Sequence, residues 1–246
     1  MFSSIPTPFS AVVIGASGGL GAAFVQALAA DLAVSSVLAC ARSALPAGHK
    51  KVTPCPLDLT DEASIAAAAR QASGFEPVRL VIVATGLLHE GAGFQPEKTL
   101  KRLDADALAR SFAINTIGPA LVAKHFLPLM PRTGKTVFAA LSARVGSISD
   151  NRTGGWYGYR AAKAALNMML ANLAIETAAK GPEAIVCGLH PGTVDTKLSA
   201  PFQAGVRSGG LFAPEQSAGH LLAVVEGLNP SDSGGVFAWD GKRIEP

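Results

Sequence analysis

Short apolar runs alternate with alanine-rich segments along the whole of this 246-residue chain. The runs are SAVVIG (10–15), SSVLACA (35–41), RLVIVATG (79–86), KTVFAALS (135–142), AIVCGLHPG (184–192) and GGVFAWDG (234–241). Most are apolar throughout, not at every second residue, as expected of strands covered on both faces. KVTPCPLD (51–58) reads as one further short strand. Helical patterns lie between them, near 20–30, 61–72, 104–129, 155–180 and 214–227, with Asp61-Glu62 suited to a helix start and Gly181-Pro182 to a stop. This βαβα alternation predicts an α/β fold, a Rossmann-type doubly wound parallel sheet with helices on both faces. No repeat or linker divides residues 1–246, so the chain reads as a single domain. The Gly-, Ser- and Pro-rich stretch 193–213 is its longest expected loop and suits a substrate lid.

Composition excludes several partners. Hydrophobic residues make up 49% and charged residues 16%, a globular balance and not a disordered one. A net charge of +3, with no long basic run, argues against nucleic acid. Cys40, Cys55 and Cys187 are scattered, and neither they nor the five histidines show metal-ligand spacing, so no metal is expected and a reduced, cytoplasmic setting is. ALA at 27–29 mimics a signal-cleavage site, but Pro6, Pro8 and the glycines from Gly15 onward interrupt the apolar start, so no membrane segment is expected.

The run VVIGASGGLG places Gly15, Gly19 and Gly21 between the first strand and the first helix. Glycine lets the backbone turn tightly and approach a pyrophosphate, and the helix end offers unpaired N–H groups to it. The acidic residue that would read a ribose 2′-hydroxyl about twenty residues on is missing: LACARS ends in Ala41-Arg42. Arg42 can instead clamp a 2′-phosphate with its planar donor fork, which points to NADP(H) over NAD(H). In GGWYGYRAAK, Tyr159 and Lys163 stand four residues apart and so share a helix face, whereas Tyr157 has only Ala161 there. An ammonium held near a phenol favours the phenolate and brings its pKa toward neutrality.

The spacing G-x-x-x-G-x-G together with Y-x-x-x-K resembles the short-chain dehydrogenase/reductase superfamily, with Ile14 where that family usually has Thr. The resemblance implies a phosphate cradle of Gly15, Ser17, Gly19, Leu20 and Gly21. It further implies Asp58 on the adenine with Leu59 supplying an amide, and Ala84, Thr85 and Gly86 in place of the family's N-A-G. Tyr159 becomes the proton donor and Lys163 its partner on the nicotinamide ribose. Asn115, in NTIG, becomes the residue that holds a helix distortion near that lysine. HPGTVDT resembles the turn that holds the cofactor carboxamide and diphosphate, implying Pro191, Gly192, Val194 and Thr196. The insertion SDNRTGGWYGYR is similar to the C-factor-like carbonyl reductase branch.

The serine is ambiguous. The family's S-x-x-G, counted back from Gly146, lands on Ala143, and Ser142 stands one residue early. Successive strand residues face opposite ways, so the candidates remain Ser142, Ser147 or Ser149 in the following loop, or no serine. His190, before Pro191, could line the site, and Trp156 and Tyr157 could wall the substrate pocket. The implied activity is hydride transfer between NADP(H) and a small-molecule carbonyl or alcohol, in a homodimer or homotetramer. The alternative is a cofactor-binding signalling or regulatory protein on the same scaffold.

Overall fold

The first strand, Phe9–Ile14 (β1), is buried at every residue, as a continuous apolar run must be when helices cover both faces. It lies inside a seven-stranded sheet in the computed structural model, which describes residues 2–45, 48–91, 93–206 and 209–246. The chain continues through α1 (Gly19–Ala30), β2 (Val34–Ala41), β3 (Val52–Pro56), α2 (Glu62–Ala72) and β4 (Val78–Val83). Then follow α3 (Ala105–Phe112), α4 (Gly118–Phe126), β5 (Thr136–Leu141), α5 (Tyr157–Ala178), β6 (Ala184–His190), β7 (Thr193–Val194), β8 (Leu211–Phe212), α6 (Pro214–Gly227) and β9 (Val236–Ala238). The large sheet runs β3-β2-β1-β4-β5-β6-β9 and every pairing in it is parallel. Its order reverses between β1 and β4, which opens a crevice at the carboxyl ends of those strands.

Two apolar clusters hold the layers. On one face Phe24 and Leu28 of α1 and Leu221 and Leu222 of α6 pack on Val13, Ile82 and Ala139. On the other, Ile65 of α2, Val122 of α4 and Leu166 and Leu170 of α5 pack on Val12, Phe138 and Val186. At one edge β3 carries Pro54 and Pro56, residues suited to an edge because they cannot donate to a further strand.

The expected strands and helices are present, with two differences. The pattern over 104–129 is not one helix: α3 and α4 are joined by a π-helical turn, Ala113–Ile117. Pro119, second residue of α4, has no N–H and its ring would clash with the carbonyl of residue 115 in a regular α-helix. The stretch 193–213 is also more ordered than a plain loop, since it holds β7, the 3₁₀ turn Ala200–Gly205 and β8, with β7 paired to β8. Residues 207 and 208 of that stretch lie outside the described residues. Among the described residues no helix is long and apolar enough to cross a membrane.

Candidate active site

The crevice beside β1 is built on absent side chains. Gly15 turns the chain at φ +90°, and a Cβ there would come within 2.8 Å of Ala84 O and of Thr85 Cγ2. A Cβ on Gly21 would lie 2.1 Å from Gly15 O. Helix α1 starts at Gly19 with no capping side chain and no acid in its first turn, so its unpaired N–H groups and positive dipole end are available to an anion. Leu20 is buried under the loop, and Thr196 packs over it, its Cγ2 3.0 Å from where a Gly19 Cβ would stand.

A cavity of about 230 Å³ opens there, lined by Gly15 and Ser17, by Arg42 after β2, by Asp58 and Leu59 after β3, and by Ala84–Gly86 after β4. The expected adenosine-side residues therefore converge from four segments distant in sequence. Asp58 Oδ1 accepts from Thr60 N at 2.8 Å and Thr60 Oγ1 at 2.7 Å. Those bonds, with the nearby Arg42 charge, hold its carboxyl below the usual range. The cap of α2 is Asp61, which accepts from Ala63 N, so Asp58 is not needed there. Thr85 Oγ1 is buried without a partner, an unmet hydrogen-bonding group in the cavity wall. The uncapped helix end, the cradle a Cβ would fill and this orphaned hydroxyl all fit a dinucleotide. At the other end, Pro191 O accepts from Ser217 Oγ, Gly192 packs against the Phe212 ring, and Val194 is buried on β7.

Helix α5 carries Tyr159 and Lys163 on one face. Lys163 is 2% exposed, and its Nζ donates to Leu141 O at 2.7 Å while lying 5.7 Å from the centre of the Tyr159 ring. Burial pushes Lys163 down to about 7 and Tyr159 up to about 12. This reverses the sign expected for Tyr159. The ammonium is directed at a strand carbonyl, and desolvation of the phenolate dominates. Tyr157 is 39% exposed. Asn115 sits in the π turn, fully buried, its Oδ1 accepting from Leu87 N at 3.0 Å and its Nδ2 donating to Leu87 O at 2.8 Å. It ties the distorted helix to the strand exit that carries Thr85 and Gly86.

Ser142 is not brought to Tyr159 by its hydrogen bonding. Its Oγ donates to Asn167 Oδ1 at 2.6 Å. Asn167 lies eight residues beyond Tyr159 on α5, about 12 Å along the axis. Gly146 N donates to Ala143 O at 2.9 Å, and a Gly146 Cβ would come 2.8 Å from Lys163 Cβ. Gly146 therefore packs directly on Lys163, and the residue three before it is Ala143. Ser147 Oγ accepts from Asp150 N and meets Ser149 Oγ.

Two groups escaped the sequence reading. Glu97, 8% exposed, accepts from Gly158 N at 3.0 Å through Oε2, while its backbone O accepts from Trp156 N at 2.5 Å. It fastens the start of α5, where Trp156 takes a left-handed φ of 51°. Phe202, in the turn after β7, packs on Trp156 at 4.9 Å and on His89 at 5.6 Å, and Trp156 meets Tyr159 at 6.4 Å. This aromatic wall joins three segments beside Tyr159. Nothing periodic in FQPEKTLKR or in the 193–213 stretch distinguishes Glu97 or Phe202.

The short chain dehydrogenase family model matches residues 10–206. The C-signal protein of Myxococcus xanthus is 34% identical over 142 residues, covering 58% of this chain and 80% of that protein. Cis-4-hydroxycyclohexanecarboxylate dehydrogenase of Sinomonas cyclohexanicum is 30% identical over 247 residues, covering 94% of each. Among solved structures, the NADPH-bound carbonyl reductase from chicken fatty liver superposes with a TM-score of 0.82 at 26% identity, covering 99% of this chain and 96% of the other.

Proposed function

The chain belongs to the short-chain dehydrogenase family, and on that footing we propose that it is an NADP(H)-dependent oxidoreductase acting on a small carbonyl or alcohol. The observation that carries the proposal is the placement of Tyr159 and Lys163 on one face of α5, with Nζ anchored at Leu141 O, beside the crevice that fits a dinucleotide. Bound NADPH would supply the hydride that turns carbonyl into alcohol. Tyr159 would supply the proton: a phenol pushed up to about 12 keeps it through the neutral range, as a donor to a more basic alkoxide must. Lys163 would hold the nicotinamide ribose and Asn115 would keep the helix in register beneath it. Gly15, Ser17, Gly19, Leu20 and Gly21 would cradle the diphosphate from one side, and Pro191, Gly192, Val194 and Thr196 would close it from the other. Asp58, Leu59 and Ala84–Gly86 would line the adenosine, and Arg42 would meet the 2′-phosphate.

The aromatic wall of Trp156, Phe202 and His89 favours substrates with an apolar body next to the carbonyl. NADP(H) dependence agrees with the NADPH bound in the chicken carbonyl reductase, and suits the reductive direction. A second reading, a cofactor-binding signalling protein with little turnover, is favoured by the C-signal likeness and by Ala143 in the serine register. Purified protein with NADPH and a panel of aldehydes and ketones separates the two. Saturable oxidation of NADPH supports the oxidoreductase; tight NADPH binding without turnover on any member supports the second reading.

A further inference from the structure

We infer that His190 is the second hydrogen-bond donor to the reacting carbonyl oxygen, in the place where this chain carries Ala143. The inference rests on the oxidoreductase reading. Carbonyl reduction builds negative charge on oxygen, and Tyr159 alone gives that oxygen one donor. A second, preorganised donor accounts for about 10²–10³ in rate where it has been removed elsewhere. At the β5 exit Ala143 has no hydroxyl, Ser142 Oγ donates to Asn167, Ser147 Oγ accepts from Asp150 N and meets Ser149 Oγ, and Ser149 itself is exposed.

His190 is the last residue of β6. Leu189 pairs with Leu141, and Ser142 N donates to Leu189 O at 2.8 Å, so His190 stands one step on, beside Ser142 and Ala143. Side chains alternate along a strand. Cys187 and Leu189 pack with α1 and α6, whereas Val186 packs with α5. His190 therefore shares the face of Val186, the face that carries Tyr159 and Lys163. Its Nδ1 is buried without a partner. Among the described residues the other such atoms are Thr85 Oγ1, in the cofactor cavity, and His220 Nδ1, on α6 against Phe212 and Trp239. Burial, helped by the Arg144 charge, pushes His190 down to about 4, against the opposing pull of Asp240. A neutral imidazole donates a hydrogen bond without giving up its proton. In the reduction the carbonyl carbon gains the hydride, the oxygen gains the Tyr159 proton, and the imidazole keeps its own.

The test pairs kinetics with a direct view of the ring. In His190→Ala, kcat for the best carbonyl of the panel is expected to fall about 10²–10³-fold, with the Kd for NADPH within about twofold. His190→Gln, which keeps an N–H donor and most of the volume, is expected to recover part of the rate. In wild-type protein loaded with NADP⁺, the ¹⁵N resonances of the His190 ring are expected to shift on titration with acetophenone. The assignment is overturned if His190→Ala keeps kcat within threefold, or if Ser142→Ala loses a hundredfold while His190→Ala does not. If wild-type protein turns over no carbonyl, the oxidoreductase reading fails by itself. The ring resonances then decide separately whether His190 meets a carbonyl: a shift keeps that contact, and none removes it.

Discussion

At the scale of single residues, burial decides more than pairing does. Burial pushes Lys163 down to about 7 in the folded protein, whereas an unfolded lysine stays protonated to about 10.4. Between those values the unfolded chain binds the extra proton, so stability rises with pH across that window and is lowest below it. Urea denaturation should therefore show Lys163→Met gaining on wild type at pH 7 and losing that advantage by pH 10. A pH-independent difference would contradict the burial. Arg42→Ala should weaken NADPH about 10–100-fold, the worth of a charge-assisted contact, and leave NADH unchanged; equal losses for both cofactors would remove the 2′-phosphate role. The Tyr159/Lys163 pair was legible because its signal is local, four residues along one helix. The destination of Ser142 was not. It depends on which face of β5 the residue leaves and on Asn167, 25 residues away. The effect of Lys163 on the phenol was misjudged because spacing does not reveal that Nζ turns to Leu141 O.

At the scale of elements, the glycine loop and the broken helix set the crevice. A methyl on Gly21 would collide with Gly15 O, which is backbone and cannot swing aside. Gly21→Ala should cost about 1–3 kcal/mol, as overpacking does, and weaken NADPH binding; thermal melts with and without NADPH would show both losses. Asn115→Ala should cost about 1–3 kcal/mol for each Leu87 group left unpaired. A melt unchanged by that substitution would mean that the π turn is set by Pro119 alone. The loop was readable because glycine need is written directly in sequence. The break over 113–117 was only half readable, since the Asn115 motif implied a distortion while the apolar period ran on through it. The paired β7 and β8 were hidden because two-residue strands leave no periodic trace.

At the scale of the whole molecule, continuous apolar runs and intervening helices were enough to foresee the sheet, because a parallel strand buried on both faces tolerates little else. Its association is a separate matter. Met168 (63% exposed) and Ile175 (75%) lie seven residues apart on the outer face of α5, and Ile117 (52%) ends the π turn beside it. Exposed apolar groups collected on neighbouring helices suit self-association. Light scattering should give a dimer or tetramer at micromolar concentration, and Ile175→Asp should shift it toward monomer. A monomeric wild type would contradict this. In the proposed reaction this crevice would deliver a proton from Tyr159 to a substrate held beside a bound nicotinamide. The most direct test is NADPH oxidation by wild type and Tyr159→Phe on the same carbonyl, with NADPH affinity measured for both. Turnover is expected to fall at least about 10²-fold, the usual share of a general acid, at unchanged affinity. A Tyr159→Phe variant that turns over like wild type would contradict it.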